Sequence, residues 1–364
     1  IFDGFDIDWE YPGIVGHLGN HISPNDTRNF TLLLAEFRAE LDALGGTHKV
    51  LTAAVPAGQD KIRFIETNQI AQYLDYANPM TYDMHGGWEP TGPTNHQTGL
   101  YTSPSDPMGP IAPGSAKYSV NSAIQAWLVG DPAYGIPGGF PANKLTMGYP
   151  MYYRGWQGVP AGSRNGLYGS ATGAAAGAPL SGNTPGVSFY KELNGFVNNP
   201  SFTFWDDAAK ASYFYNGTTF WSGESIRSIQ TKADYQHCLG LAGAMVYSLE
   251  DDDPATTLYS AIVNATNGSA GSCPTPPPPG SSPPPPPPPG SSPPPPPPGS
   301  SPPPPPPGSS PPAPPGTVQA WQANHAYAAG NQVSYNGRNY ECVQPHTSLP
   351  GWEPPNVPAL WKAL

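Results

Sequence analysis

Through residues 1–273, short apolar runs alternate with amphipathic stretches, the pattern of βα units laid around a parallel sheet. The apolar runs predict strands at residues 1–10, 50–56, 76–82, 145–152 and 243–249. Between the first two, Phe30, Leu33, Leu34, Phe37, Leu41 and Leu44 recur at helical spacing. Asp26 or Thr27 can cap that helix, and Gly45 can end it. Residues 153–240 are too long for one crossover and read as an inserted α+β subdomain. Five strands are too few to close a (β/α)8 barrel, so the expected α/β fold is a partial TIM barrel with about three strands upstream of Ile1. The chain opens in mid-strand without an initiator Met, and its natural N-terminus is expected to have been lost. An open barrel exposes unpaired strand edges, so the chain as it stands is expected to be weakly active or insoluble.

This periodicity stops at residue 274. Residues 274–315 are almost wholly Pro, Gly and Ser, a linker of polyproline II blocks jointed at Gly-Ser-Ser steps. It separates the expected catalytic domain, residues 1–273, from a small body at residues 316–364. The small body carries Trp321, Tyr327, Tyr335, Tyr340, Trp352 and Trp361 but few aliphatic core formers. So little chain buries little surface, so some rings must hold it together while others stay exposed to meet the flat faces of pyranose sugars.

Composition narrows the partners. Charged residues make up 11% of the 364 residues and the net charge is −11, which disfavours nucleic acid and anionic membrane. No apolar run approaches the ~18 residues needed to span a bilayer. Cys238, Cys273 and Cys342 lack metal-ligand spacing, and no cofactor is called for. Sequons beginning at Asn25, Asn29, Asn216, Asn264 and Asn267 permit N-glycosylation and fit a secreted, extracellular protein.

The first strand carries the chemistry. Alternate side chains of a strand face opposite ways, so Asp6, Asp8 and Glu10 project together while Phe5, Ile7 and Trp9 project to the other side. Three carboxyl groups at steps of ~6.5–7 Å repel one another if all are ionised, which raises the pKa of at least one. A proton held near neutral pH is what a general acid needs to protonate a glycosidic oxygen, and Glu10 stands at the strand end where barrel sites form. Asp3 is out of step and reads as structural. A solvated acidic edge would not intersperse its acids with Phe, Ile and Trp, and a calcium site would need further oxygen ligands from elsewhere.

The run Asp3-Gly-Phe-Asp6-Ile-Asp8-Trp-Glu10 resembles the DxxDxDxE signature of glycoside hydrolase family 18, the chitinases and related endo-N-acetylglucosaminidases. Met80-Thr-Tyr82-Asp83 resembles that family's sixth-strand motif, Gly148-Tyr-Pro-Met-Tyr152-Tyr-Arg154 its seventh, and Gly243-Ala-Met-Val-Tyr247-Ser its eighth. The resemblance covers residues 1 to about 265. It implies hydrolysis of β-1,4-linked N-acetylglucosamine with retention, the substrate's own N-acetyl carbonyl attacking the anomeric carbon. By matching positions, Glu10 would protonate the leaving oxygen and then activate water. Asp8 would orient the acetamido group, Asp6 would share a proton with Asp8, and Tyr82 would donate to the acetamide oxygen. Met80, Asp83, Tyr152 and Arg154 would shape sugar subsites, although Met80 suits a core equally, Met245 reads as core, and Arg154 could pair with a nearby acid. Where the family usually has a Trp flooring the sugar, this chain has Tyr247. Trp88, Trp156, Trp205 and Trp221 could line the cleft or anchor loops. The acidic run Glu250 to Asp253, followed by Pro254, reads as the start of a helix.

Residues 320–340 and the closing Trp361 resemble carbohydrate-binding modules of families five and twelve, which implies a small all-β fold. Asn336-Gly337 is itself a hairpin signal. Trp321, Tyr340 and Trp361 are expected in its core, Trp352 as the chitin-facing ring, with Tyr335 and His346 beside it. The expected protein is a secreted, monomeric chitinase whose partners are chitin and chito-oligosaccharides. A silent lectin would typically lose the acid, and an endo-β-N-acetylglucosaminidase of N-glycans would gain little from an anchor to a solid polymer.

Overall fold

The structure, a computed structural model, describes residues 2–17, 19–277, 319–322, 325–343, 346–348, 353–355 and 360–364. The chain divides into two compact units, residues 1–285 and 286–364. The expected linker, from residue 278 on, lies outside the described residues.

The first unit begins with β1 (Gly4–Asp8), α1 (Asp26–Ala43), β2 (Val50–Val55), α2 (Gln59–Ile62), α3 (Thr67–Ile70), β3 (Tyr76–Pro79), α4 (Val120–Leu128) and β4 (Thr146–Pro150). An antiparallel region follows, comprising β5 (Tyr152–Gln157), β6 (Gly173–Ala174), β7 (Val187–Phe189), α5 (Tyr190–Val197), β8 (Thr203–Asp206), β9 (Ala211–Tyr215) and β10 (Thr219–Ser222). Then α6 (Ile226–Leu239), β11 (Gly243–Tyr247) and α7 (Thr257–Asn267) complete the unit.

Five strands run parallel in the order β1-β2-β3-β4-β11, with a single bridge from Ala77 to Leu145 joining β3 to the start of β4. They are the five strands expected from the apolar runs, each ending earlier than its run. Proline explains three of these ends: β2 stops before Pro56, and β3 and β4 close on Pro79 and Pro150, which have no N–H to continue a ladder.

Helix α1 covers the outer face of β1. Phe30, Leu34 and Leu41 are buried, Phe37 packs on Phe5 at 5.7 Å, and Phe30 meets Trp9 edge-on at 5.9 Å. The buried stripe is narrower than expected, since Leu33 and Leu44 are 37% and 71% exposed. Nor does Asp26 cap the helix: its Oδ2 accepts from Ser23 N at 2.8 Å and Gly13 N at 3.3 Å, tying the loop after Glu10 to the helix start.

In the antiparallel region the strand order is β6-β5-β10-β9-β8, with β7 also on β5, around a core of Trp156, Val159, Leu167, Tyr213, Tyr215 and Phe220. This sheet accounts for the expected insertion as far as Ser222, and α6 beyond it packs on α7. The sequence left disulfide pairing open; Cys238 at the end of α6 bonds Cys273 beyond α7. Among the described residues no helix is long and apolar enough to cross a membrane.

The second unit is all β: β12 (Gln319–Ala320), β13 (Ala326–Tyr327), β14 (Gln332–Tyr335), β15 (Arg338–Cys342), β16 (His346–Thr347) and β17 (Trp361–Ala363). Asn336 and Gly337, at φ 47° and 76°, turn β14 into β15 as a hairpin that needs two left-handed residues. Tyr327, Val333, Tyr340, Cys342 and Trp361 form the core. Trp321 is only half-buried, contrary to expectation, and meets the half-buried Tyr335 edge-on at 5.7 Å. The backbone of His346 pairs with Tyr327, and Trp352 lies outside the described residues.

Candidate active site

The C-terminal ends of the five parallel strands open into a cleft of about 670 Å³. Asp6, Asp8 and Glu10 all line it, because the alternation of β1 carries past its last paired residue, Asp8. Met80, Tyr82 and Asp83 enter it from beyond β3, Tyr152 and Arg154 from β5, and Met245 and Tyr247 from β11. Trp88 lines an adjoining lobe that shares Asp8, Glu10, Tyr11 and Asp83 with the main cleft.

The three carboxylates sit in different surroundings. Asp6 Oδ1 accepts a short hydrogen bond from Thr52 Oγ1 and a longer one, at 3.3 Å, from Asn78 Nδ2. Neighbouring strands supply both donors, Thr52 being the direct register partner of Asp6. The pKa of Asp8 is raised to about 6, first by burial, then by the charge of Glu10, then by that of Asp6. Asp8 is thus one carboxyl whose surroundings favour keeping its proton, as mutual repulsion leads one to expect of at least one of the three. Glu10 is hydrogen-bonded to Tyr11, and burial followed by the Glu10 charge pushes the Tyr11 phenol well up.

Around the acids stands an aromatic wall. Tyr82 lies edge-on to Tyr152 at 6.1 Å, stacks at 30° on Tyr247 at 6.2 Å, and its hydroxyl meets Met245 Sδ at 3.7 Å. Burial, and then the Asp83 charge, push the Tyr82 phenol well up, so it is a neutral donor at ordinary pH. Tyr247 is 58% exposed and presents a face to the cleft. Asp83 accepts from Tyr152 Oη at 2.7 Å and from Arg154 through two nitrogens, each at 2.7 Å. Arg154 thus does pair with an acid, while its guanidinium lies 5.1 Å from the Trp88 and Tyr152 rings.

Several sequence expectations change here. Met245, read as core, lines the cleft. Trp156 and Trp221 are buried structural rings, and Trp205 stacks under Arg227 at 3.9 Å away from the cleft, so Trp88 alone of the four tryptophans faces it. Within the acidic run, Asp252 and Asp253 accept from the first N–H groups of α7, as a helix start requires, whereas Glu250 and Asp251 line the cleft. Sequence reading missed Tyr11, Thr52, Asn78, Lys61 and Tyr118. Tyr11 directly follows Glu10 and was the most accessible of these. Thr52 and Asn78 are defined only by strand register. Lys61, 5.7 and 5.6 Å from the Tyr11 and Tyr118 ring centres, is defined only by tertiary packing.

This geometry can deliver a proton, orient a small polar group beside it, and hold flat rings against sugar faces. Chitinase A1 of Niallia circulans is 34% identical over 257 residues, covering 69% of this chain and 35% of its own length. Chitotriosidase-1 of Mus musculus is 33% identical over 258 residues, covering 69% of this chain and 50% of its own. The chain thus spans a third to a half of the curated relatives it matches. Among solved structures, the catalytic domain of psychrophilic chitinase B from Arthrobacter TAD20 superposes with a TM-score of 0.64 at 33% identity, over 76% of this chain and 59% of that one. Residues 320–362 match carbohydrate-binding module family 5/12. Residues 1–252 match the glycosyl hydrolases family 18, and the chain belongs to that family.

Proposed function

We propose that this protein is a secreted chitinase that cleaves β-1,4 N-acetylglucosamine linkages with retention. The observation that carries this reading is the convergence of Asp6, Asp8, Glu10 and Tyr82 on one cleft. In this reading Glu10 protonates the leaving glycosidic oxygen, and the substrate's acetamido oxygen attacks the anomeric carbon in place of an enzyme carboxylate. Protonated Asp8, poised near pH 6, accommodates the acetamide N–H as it ionises and steadies the positive charge that develops. Asp6, held by Thr52 and Asn78, is the acceptor for that proton, and the Tyr82 hydroxyl donates to the acetamide carbonyl. Glu10 then activates the water that opens the cyclic intermediate.

Met80, Asp83, Tyr152, Arg154, Trp88 and Tyr247 serve as sugar-subsite residues. The family 5/12 match at residues 320–362 supports an anchor on chitin, with Trp352, Tyr335 and His346 as the residues that meet it. The Cys238–Cys273 disulfide fits an oxidising, extracellular location. The reading takes the protein as a monomer and needs neither nucleic acid nor membrane.

The decisive experiment is Glu10→Gln in the full chain, assayed for chito-oligosaccharide hydrolysis and for pull-down on chitin. Hydrolysis should vanish while chitin binding persists. Turnover near that of the unaltered protein would remove Glu10 as the acid and overturn the mechanism.

A further inference from the structure

Behind the cleft wall lies a chain of polar side chains that touches no substrate-facing surface. Lys232 of α6 and Glu224 are both 0% exposed, and the ammonium donates to Glu224 Oε1 at 2.5 Å and to Thr98 Oγ1 at 2.6 Å. Glu224 Oε2 accepts from Ser228 Oγ at 2.5 Å, so each oxygen of the buried carboxylate has a partner. An ammonium can only donate, so the Thr98 hydroxyl accepts from it and must send its single proton elsewhere. That proton goes to the Thr81 carbonyl at 2.8 Å, the peptide oxygen immediately before Tyr82.

The turn bearing Tyr82 is held from the other side as well. The Thr81 hydroxyl accepts from Gly148 N and donates to Gly148 O, each at 2.9 Å, which clasps the turn to β4. Met84 N donates to the Gln97 carbonyl at 3.1 Å, so residues 97 and 98 bracket the 81–84 segment at both ends. A Cβ on Gly148 would lie 2.9 Å from Tyr82 Cε1 and 2.7 Å from Pro79 O, so β4 sits flush against the ring and only hydrogen fits there. None of Lys232, Glu224, Thr98 and Thr81 lines the cleft.

A buried ion pair contributes little net stability compared with apolar side chains of similar volume, because desolvating two charges offsets their attraction. What this pair does supply is direction, since it fixes which way one hydroxyl points. We infer that Lys232, acting through Thr98 and Thr81, is a positioning residue that sets the Tyr82 hydroxyl for the reaction. The inference rests on the proposed role of Tyr82 as donor to the acetamide carbonyl.

A double-mutant cycle in the full chain tests it, with kcat and KM read on soluble chito-oligosaccharides. Tyr82→Phe alone should lower kcat roughly 100-fold. Thr98→Val alone should lower kcat roughly tenfold with KM held within about twofold, as a misplaced group does. In the Tyr82→Phe background, Thr98→Val should cost less than about twofold, because the group it positions is gone. Thr98→Ser should restore kcat, since it restores the hydroxyl. Should Thr98→Val fail to fold, the neutral pair Lys232→Met with Glu224→Gln replaces it and should show the same dependence on Tyr82. Equal losses in both backgrounds, tracking a fall in Tm, would make the network merely structural and overturn the inference while leaving the hydrolase reading intact. An unaltered protein without hydrolytic activity would instead overturn both.

Discussion

Arg154 grips Asp83 with a two-pronged hydrogen bond, Nε to Oδ1 and Nη2 to Oδ2, both at 2.7 Å. Asp83 sits at φ 56°, a left-handed conformation that side-chain-bearing residues adopt at a cost. The grip offsets that cost and fixes a carboxylate and a cation side by side in the cleft. The guanidinium also lies 5.1 Å from two rings, that of Trp88 in the adjoining lobe and that of Tyr152 in the main cleft.

Lysine keeps the charge but has neither the fork nor the flat face. Arg154→Lys is therefore expected to lower kcat/KM on chito-oligosaccharides by roughly 10- to 100-fold, the range for a displaced positioning group. Steady-state kinetics on a soluble tetramer would check it. An unchanged kcat/KM would mean that the ion pair at Asp83 can be formed by any cation.

Asp8 makes the stability of the fold depend on pH in a direction opposite to that of most acids. Its folded-state pKa of about 6 lies above the ordinary 3.8, so its stabilising contribution is complete below pH 3.8 and is lost as pH rises through about 6. Asp8→Asn removes the titration. The variant should gain a few degrees in Tm at pH 7 relative to the unaltered protein and gain nothing at pH 3.5, while losing activity at both. A Tm difference independent of pH would show that Asp8 does not titrate in this range. Glu10→Gln, which removes the second largest cause, should move the Asp8 titration down towards 3.8 but not fully, because burial remains. Carboxyl-carbon NMR would follow that titration.

The division between what the sequence discloses and what it conceals follows from the range of the interactions involved. Asp6, Asp8 and Glu10 are legible because strand alternation is local: two residues on returns to the same face. Their partners are not, since Thr52 and Asn78 reach Asp6 from 46 and 72 residues away through strand register. Leu33 and Leu44 fit a helical period yet stay exposed, because period alone does not say how wide a stripe the sheet covers. Trp156 and Trp221, equally suited in sequence to a sugar cleft, are buried on opposite faces of the sheet in which β5 and β10 pair, Trp156 in that sheet's own core and Trp221 in the main core. The acidic run after β11 splits between two tasks, Asp252 and Asp253 at the helix start and Glu250 and Asp251 in the cleft, and no spacing rule separates them.

Tyr247 offers a second handle on affinity. Its ring is 58% exposed and stacked on Tyr82, so it is a platform supported from behind. An indole presents a larger apolar face and a stronger quadrupole than a phenol. Tyr247→Trp should lower KM for chito-oligosaccharides by roughly two- to tenfold, the equivalent of about 0.5–1.5 kcal/mol of ring contact. The comparison needs kcat as well as KM, because a platform acts on binding. A raised KM would indicate that the larger ring collides with Tyr82 or Tyr152.

The second unit should matter only when the substrate is a solid. Deleting residues 275–364 keeps two ties of the first unit, the Pro274 carbonyl that accepts from Tyr101 Oη at 2.7 Å and the Cys238–Cys273 disulfide. On soluble oligomers the shortened chain should match the full one within about twofold, because diffusion already supplies the substrate. On crystalline chitin its rate should fall several-fold, because the tether that raises local concentration is gone. Restoring the unit as a separate chain should not recover the rate, for an anchor works only while it is attached. Equal losses on both substrates would mean instead that removing the second unit damages the first.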